Sequence, residues 1–167
     1  MADIIPEVQN WKVISDITLS APQQNIDFTG LNVNSHGMYV LFVSITNNEV
    51  PLAAYHFYIN GDFVDLNYYE RITEDAFDAG IFNDAFFAQC NTGEDVNHTI
   101  YIKRGSAGRG IMIFSGQEVL AGVGNITNIL GTLVTSGVLA NITSIRIHST
   151  IVNGLGINSR FILSQVK

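Results

Sequence analysis

The C-terminal stretch Ile142 to Lys167 reads ITSIRIHSTIVNGLGINSRFILSQVK and alternates in character with a period of two. Ile145 and Ile147 fall on one side of an extended chain and Ser144, Arg146 and His148 on the other. After a Gly-containing connector the pattern returns, with Phe161 and Leu163 on one face and Arg160, Ile162 and Ser164 on the other. Strands of this kind bury one face only. They belong to the closing edge of an antiparallel sandwich rather than to the mouth of a catalytic cleft.

The same signature recurs upstream. Runs of strand-forming residues extend from Trp11 to Leu19, Asn25 to Thr29, Met38 to Thr46, Ala53 to Ile59, Leu66 to Ile72 and Ala85 to Cys90. They continue from His98 to Lys103, Gly110 to Ser115, Ile126 to Val134, Ile142 to His148 and Arg160 to Val166. Turn residues separate them, among them Asn60-Gly61, Asn47-Asn48 and Arg104-Gly105-Ser106. The spacing predicts an all-β fold, an antiparallel sandwich or barrel of about 8 to 11 strands. One segment reads differently. Thr73 suits a helix cap, Glu74 and Asp75 suit the first turn and Gly80 suits the stop, so a short helix is expected near residues 73–80. Residues 1–10 read as an irregular N-terminal arm and residues 11–167 as one sandwich domain, a size at which a single core suffices without disulfides.

Composition excludes several classes. Charged residues make up 14% of the chain and hydrophobic ones 47%, against about 25% charged in an average domain. A surface so poor in charge fits faces covered by copies or partners. The net charge of −7 argues against nucleic acid as a partner, since a phosphate-binding stripe would be basic. Residues 62 to 95 carry nine acids and one base, Arg71, whereas residues 96 to 167 carry six bases and one acid, Glu118. These blocks either meet across a subunit boundary or mix on an ordinary surface. The longest apolar run, Met38 to Val43, is too short for a membrane helix. No basic residue precedes Lys12, so a secretory signal is not expected and synthesis in the host cytoplasm is.

Motifs for chemistry are sparse. No serine stands in a nucleophile elbow, and Cys90 has no neighbour in sequence to activate it, so it reads as a buried apolar residue. His36, His56, His98 and His148 are too scattered for a local metal pair. Asp62 and Asp65 follow the Asn60-Gly61 turn and offer oxygens to Ca²⁺, without the spacing of an EF-hand. No cofactor is expected. Among the aromatics, Tyr55 shares a face with Phe57 and Ile59 and reads as core, while Tyr58 lies on the outer face with Ala54 and His56. Tyr68 and Tyr69 must point to opposite sides, so one of them is outside. Tyr58, Tyr68 and Tyr69 are thus the candidate aromatics for an oligomer interface or for stacking on a glycan. Arg146, His148 and Arg160 are the candidate interface charges.

Several segments together resemble the β-sandwich modules of tailed-bacteriophage virion proteins. They are Asn25-Ile-Asp-Phe-Thr-Gly-Leu31, the apolar strand Met38 to Thr46, the hairpin Phe57-Tyr-Ile-Asn-Gly-Asp62 followed by Asn67-Tyr-Tyr69, and the close Ile142-Thr-Ser-Ile-Arg-Ile147 with Asn158-Ser-Arg-Phe-Ile-Leu163. The chain departs from that pattern at Asn158, where a glycine usually precedes the serine, and at Ile59, where the hairpin often carries Phe. The resemblance implies a jelly-roll-like sandwich that serves as a non-enzymatic capsid decoration, head-fibre or tail-appendage protein located in the virion. Its implied partners are copies of itself, with a homotrimer favoured, and major capsid or other virion proteins. The alternative it leaves open is a receptor-binding or carbohydrate-binding module directed at a host surface glycan.

Overall fold

A computed structural model describes residues 11–33, 37–47, 52–74, 77–120 and 125–166. They form twelve strands: β1 (Trp11–Thr18), β2 (Asn25–Val33), β3 (Met38–Thr46), β4 (Leu52–Ile59), β5 (Tyr68–Glu74) and β6 (Phe77–Phe82), followed by β7 (Phe86–Asn91), β8 (Asp95–Arg104), β9 (Gly110–Leu120), β10 (Asn125–Thr135), β11 (Ile142–Ser149) and β12 (Arg160–Val166). A single 3₁₀ turn, Asp65–Asn67, interrupts the connection between β4 and β5. All the pairings are antiparallel, in an eight-stranded sheet of order β1-β12-β3-β8-β9-β10-β5-β6 and a four-stranded sheet of order β2-β11-β4-β7. The chain passes repeatedly between the sheets: β1 and β3 lie in the large one, β2 and β4 in the small one. This is a β-sandwich of the kind the strand spacing predicts, wound in the jelly-roll-like manner that the resemblance implies.

Between the sheets the alternating residues meet in one core. Ile26, Phe28, Phe57, Ile145 and Ile147 of the small sheet pack toward Leu41, Ile100, Phe114, Phe161 and Leu163 of the large one, all buried. Removing that apolar surface from water is the main stabilising term. The arm expected over residues 1–10 lies outside the described residues.

Two expectations are corrected. The helix anticipated near residues 73–80 is absent from the described part of that segment: Thr73 and Glu74 end β5, and Phe77 to Gly80 belong to β6, with Ile72 opposite Gly80 and Arg71 opposite Ile81. A helix this short is marginal on its own. Pairing with β5 satisfies the same backbone groups along an existing ladder, which carries a register shift between Ile72 and Thr73. The strand count rises accordingly beyond the expected 8 to 11. The second correction concerns the C-terminus. Its two strands are expected at the closing edge, but β11 lies between β2 and β4 and β12 between β1 and β3, so each is interior to its own sheet and the two do not pair.

The connector therefore crosses from one sheet to the other. Leu155 is buried and bridges Gln23, and the Gly156 and Asn158 amides donate to Thr46 O and Leu19 O, each at 2.9 Å. Buried Ser159 accepts the Thr46 amide on its hydroxyl at 3.1 Å. Asn158 has φ +70°. Asparagine is among the few non-glycine residues that tolerate this region, which explains how it replaces the glycine of the resembled pattern.

His98 is a buried ionisable residue whose burial has a consequence for stability. The His98 side chain is fully buried beside Phe87 and Phe114, and neither ring nitrogen has a hydrogen-bond partner. Gly116 faces it across β9, where an added Cβ would lie 2.6 Å from His98 Cγ. Glu118 Oε1 is 3.8 Å from Nε2 and accepts the Gln89 amide at 2.9 Å. Burial disfavours the imidazolium and pushes the His98 pKa down to about 4. Its value in the unfolded chain is about 6.5, so between these values the unfolded chain binds the proton and the folded chain does not. Stability falls as the pH drops from about 6.5 to about 4, by about 3 kcal/mol in total from this group. Urea titrations at pH 7, 5.5 and 4.5 check this: His98→Leu loses that part of the slope, and an unchanged slope in the variant contradicts the assignment.

Candidate functional site on the four-stranded sheet

The outward residues of the small sheet fall into two rows set by the strand register. Asn25, His148 and His56 stand side by side on β2, β11 and β4, and Asp27, Arg146 and Tyr58 form the next row. Arg146 makes a two-pronged ion pair with Asp27, Nε to Oδ1 at 2.6 Å and Nη2 to Oδ2 at 2.9 Å. This pair holds the guanidinium more tightly and raises its pKa further. His148 donates from Nδ1 to Asn25 Oδ1 at 2.7 Å. Burial, then the nearby His56 and Arg146, lower the His148 pKa, so its imidazole is neutral at pH 7 and Nε2 is an acceptor.

The β4–β5 connection folds back over this face. Asn60 (φ +55°) and Gly61 (φ +74°) make the tight turn, and Asn60 Oδ1 accepts the Thr143 and Ser144 amides at 2.7 and 3.2 Å, tying the turn to the start of β11. Asp62 accepts Asn67 Nδ2 on both oxygens at 3.0 Å and the Val64 amide at 3.3 Å. Tyr68, fully buried, donates to Asp62 O at 2.8 Å and accepts the Ile59 amide at 2.9 Å. The loop so fixed carries Phe63 over Tyr58, ring centroids 5.5 Å apart and edge to face, and under Arg146, whose Cζ is 4.4 Å from the Phe63 centroid.

Tyr58 therefore differs from expectation. Its side chain leaves the outer face of β4, yet it is only 6% exposed because the loop covers it. Its hydroxyl donates to Asp65 Oδ1 at 2.8 Å, and burial together with that carboxylate raises its pKa. Of the adjacent pair, Tyr68 points inward and Tyr69 outward, as alternation requires. Neither Tyr58 nor Tyr68 offers a face for stacking. Phe63, which sequence reasoning missed, is 49% exposed and does. It separates two shallow hollows of about 290 and 280 Å³, the first lined by Asn25, Tyr58, Arg146 and His148, the second by Asp27, Thr29, Ser144 and Arg146.

Asp62 and Asp65 are used differently. Asp62 closes the loop, while Asp65 turns to His56 Nδ1 at 3.1 Å, with Asp84 Oδ1 3.8 Å from the same nitrogen. Cys90 is buried, as read from the sequence, and burial pushes its thiol up to about 11. The polar groups of this face hold one another by hydrogen bonds, an arrangement suited to binding.

Tyr69 and Arg160 belong to the opposite side, the outer face of the eight-stranded sheet. Arg160 pairs with Asp16 through two hydrogen bonds of 3.0 and 2.8 Å. Around them lies a surface that strand alternation alone did not single out. Trp11 stacks on Phe42, centroids 6.2 Å apart, and Tyr101, Ile113 and Leu130 follow on β8, β9 and β10, all exposed. A groove of about 640 Å³ runs between Phe42, Thr99, Ser115, Gln117 and Arg160.

No protein-family model and no curated protein matches this sequence. Among solved structures, the chain is similar to toad ovary galectin in complex with thio-digalactose, with 13% identity over 82% of this chain and 96% of that chain and a TM-score of 0.35. No functional statement follows from a likeness of that size.

Proposed function

We propose that this chain is a non-enzymatic structural protein of a tailed-bacteriophage virion, a decoration or auxiliary surface module that works by packing against copies of itself and neighbouring particle proteins. The observation that carries the reading is the outer face of the eight-stranded sheet. Register aligns Val13, Ser164, Val40, Tyr101 and Ile113 in one row across β1, β12, β3, β8 and β9. The row of Trp11, Val166, Met38, Lys103 and Ile111 runs beside it. Ser164 and Val40 are buried in the first row, but Leu130 is 56% exposed and Val13 58%, and with Trp11, Phe42, Tyr101 and Ile113 they leave a scattered apolar surface in water.

Eight strands at about 4.8 Å spacing, each about 25 Å long, make a face of roughly 950 Å², large enough to hold the roughly 800 Å² that one partner contributes to a stable interface. Burying exposed aromatics and aliphatics on such a face favours a homo-oligomer. The virion setting and the trimer come from the sequence resemblance. Light scattering after gel filtration tests the reading. The parent chain is expected to elute as an oligomer, a trimer by preference, and Tyr101→Glu combined with Leu130→Lys to give a monomer of unchanged far-ultraviolet circular dichroism. A parent that is strictly monomeric and does not bind capsids overturns it.

A second reading, a saccharide-binding module, is favoured by Phe63. A half-exposed ring beside the Arg146–Asp27 pair and the acceptor of His148 offers a stacking surface with donors and acceptors at its edge. On a glycan array, binding that is abolished by Phe63→Ala and by Arg146→Ala supports this reading. Absence of binding, or binding indifferent to both changes, contradicts it.

A further inference from the structure

Beside the Tyr58 ring, three separate parts of the chain bring ligand-type atoms together. They are Nδ1 of His56 on β4, Oδ1 of Asp65 at the start of the 3₁₀ turn, and Oδ1 of Asp84 just ahead of β7. The imidazole nitrogen is 3.1 Å from the first oxygen and 3.8 Å from the second, and all three atoms lie within 4.8 Å of one another. The Tyr58 hydroxyl is also 3.0 Å from Nδ1. A ring nitrogen has one proton or one lone pair to offer, so it cannot serve all three oxygens at once. A cation at the centre of the triangle satisfies the nitrogen and both carboxylates together.

The carboxylates are also aimed from outside the triangle. Tyr58 donates to Asp65 Oδ1 at 2.8 Å, and the Phe86 amide donates to Asp84 Oδ1 at 3.1 Å. Such supporting hydrogen bonds orient metal ligands and recur around metal centres. The two edges from the nitrogen, 3.1 and 3.8 Å, bracket the size of the ion: ligands about 2.1 Å from a tetrahedral centre are about 3.4 Å apart. The His56 side chain is 12% exposed, while those of Asp65 and Asp84 are 43% and 41% exposed. Protein thus closes one side and solvent reaches the other, leaving room for a fourth ligand.

We propose that His56, Asp65 and Asp84 bind one divalent first-row transition-metal ion, Zn²⁺ by preference, with Tyr58 as the residue that holds the Asp65 carboxylate in place. One imidazole and two carboxylates match zinc better than calcium or magnesium, which take oxygen ligands in larger number or keep their water. The site ties the β4–β5 connection to the approach to β7. Binding of the ion therefore stiffens the loop that carries Phe63.

Isothermal titration of the full chain with Zn²⁺ in metal-free buffer tests the assignment, with Ca²⁺ as the comparison. One Zn²⁺ per chain is expected. His56→Ala and Asp84→Asn are each expected to weaken binding by about 100-fold or more, and Tyr58→Phe by about 10-fold or more. Asp84→Asn keeps the side-chain shape at a half-exposed position, so it carries the test should His56→Ala fail to fold. No Zn²⁺ binding by the parent, Ca²⁺ bound more tightly than Zn²⁺, or Zn²⁺ affinity unchanged by Asp84→Asn would each overturn the proposal.

Discussion

The crossing of the C-terminal connector between the two sheets is the constraint on which the rest of the molecule depends. β11 occupies an interior position in the small sheet and β12 an interior position in the large one, so the segment between them must span the sandwich. It does so with its polar groups engaged. Tyr55 donates to Gly154 O at 3.0 Å, Ser159 takes the Thr46 amide, and Leu155 fills the gap beside Gln23. Without that crossing neither sheet has its central pairing, and Ile145, Ile147, Phe161 and Leu163 have no common core to enter. A buried loop is tolerated only when its backbone groups find partners, and these groups do.

The core takes up the inward residues of the described strands, and the two outward faces differ in kind. The small sheet presents Asp27, Arg146, Asn25, His148 and His56, each held by a neighbour, and a loop that folds back to roof them. The large sheet presents Trp11, Phe42, Tyr101, Ile113 and Leu130 with few charges between them. One face is polar and internally hydrogen-bonded, and the other carries exposed apolar side chains. The basic side chains of the C-terminal strands do not form a free cluster. Arg146 and Arg160 lie on opposite sides of the sandwich, and each is paired within the chain, to Asp27 and Asp16.

What was legible in the sequence is what depends on neighbours along the chain. Alternation revealed β11 and β12, the inward Tyr55 and the opposed directions of Tyr68 and Tyr69, because side-chain direction in a strand is a local property. The segment from Thr73 to Gly80 misled because capping residues and acids signal a helix start wherever they occur. They cannot report that β5 is available as a pairing edge. Tyr58 misled for a related reason: its direction was right, but the loop that covers it is positioned by Asn60 gripping Thr143 and Ser144, contacts no local pattern encodes. The His56, Asp65 and Asp84 cluster and the apolar outer face share that origin. The outer face arises from strand register across long separations, Phe42 with Thr99 being an example, and the cluster from connections brought beside β4 from distant parts of the chain.

The central claim, that the outer face of the large sheet is the surface through which the chain associates, is tested most directly by site-specific photo-crosslinking of the full chain. A photoreactive phenylalanine analogue at position 101 samples that face, and the same analogue at position 29 samples the small sheet. Covalent oligomers from position 101 and none from position 29 are the predicted result. Crosslinks confined to position 29 would contradict the account.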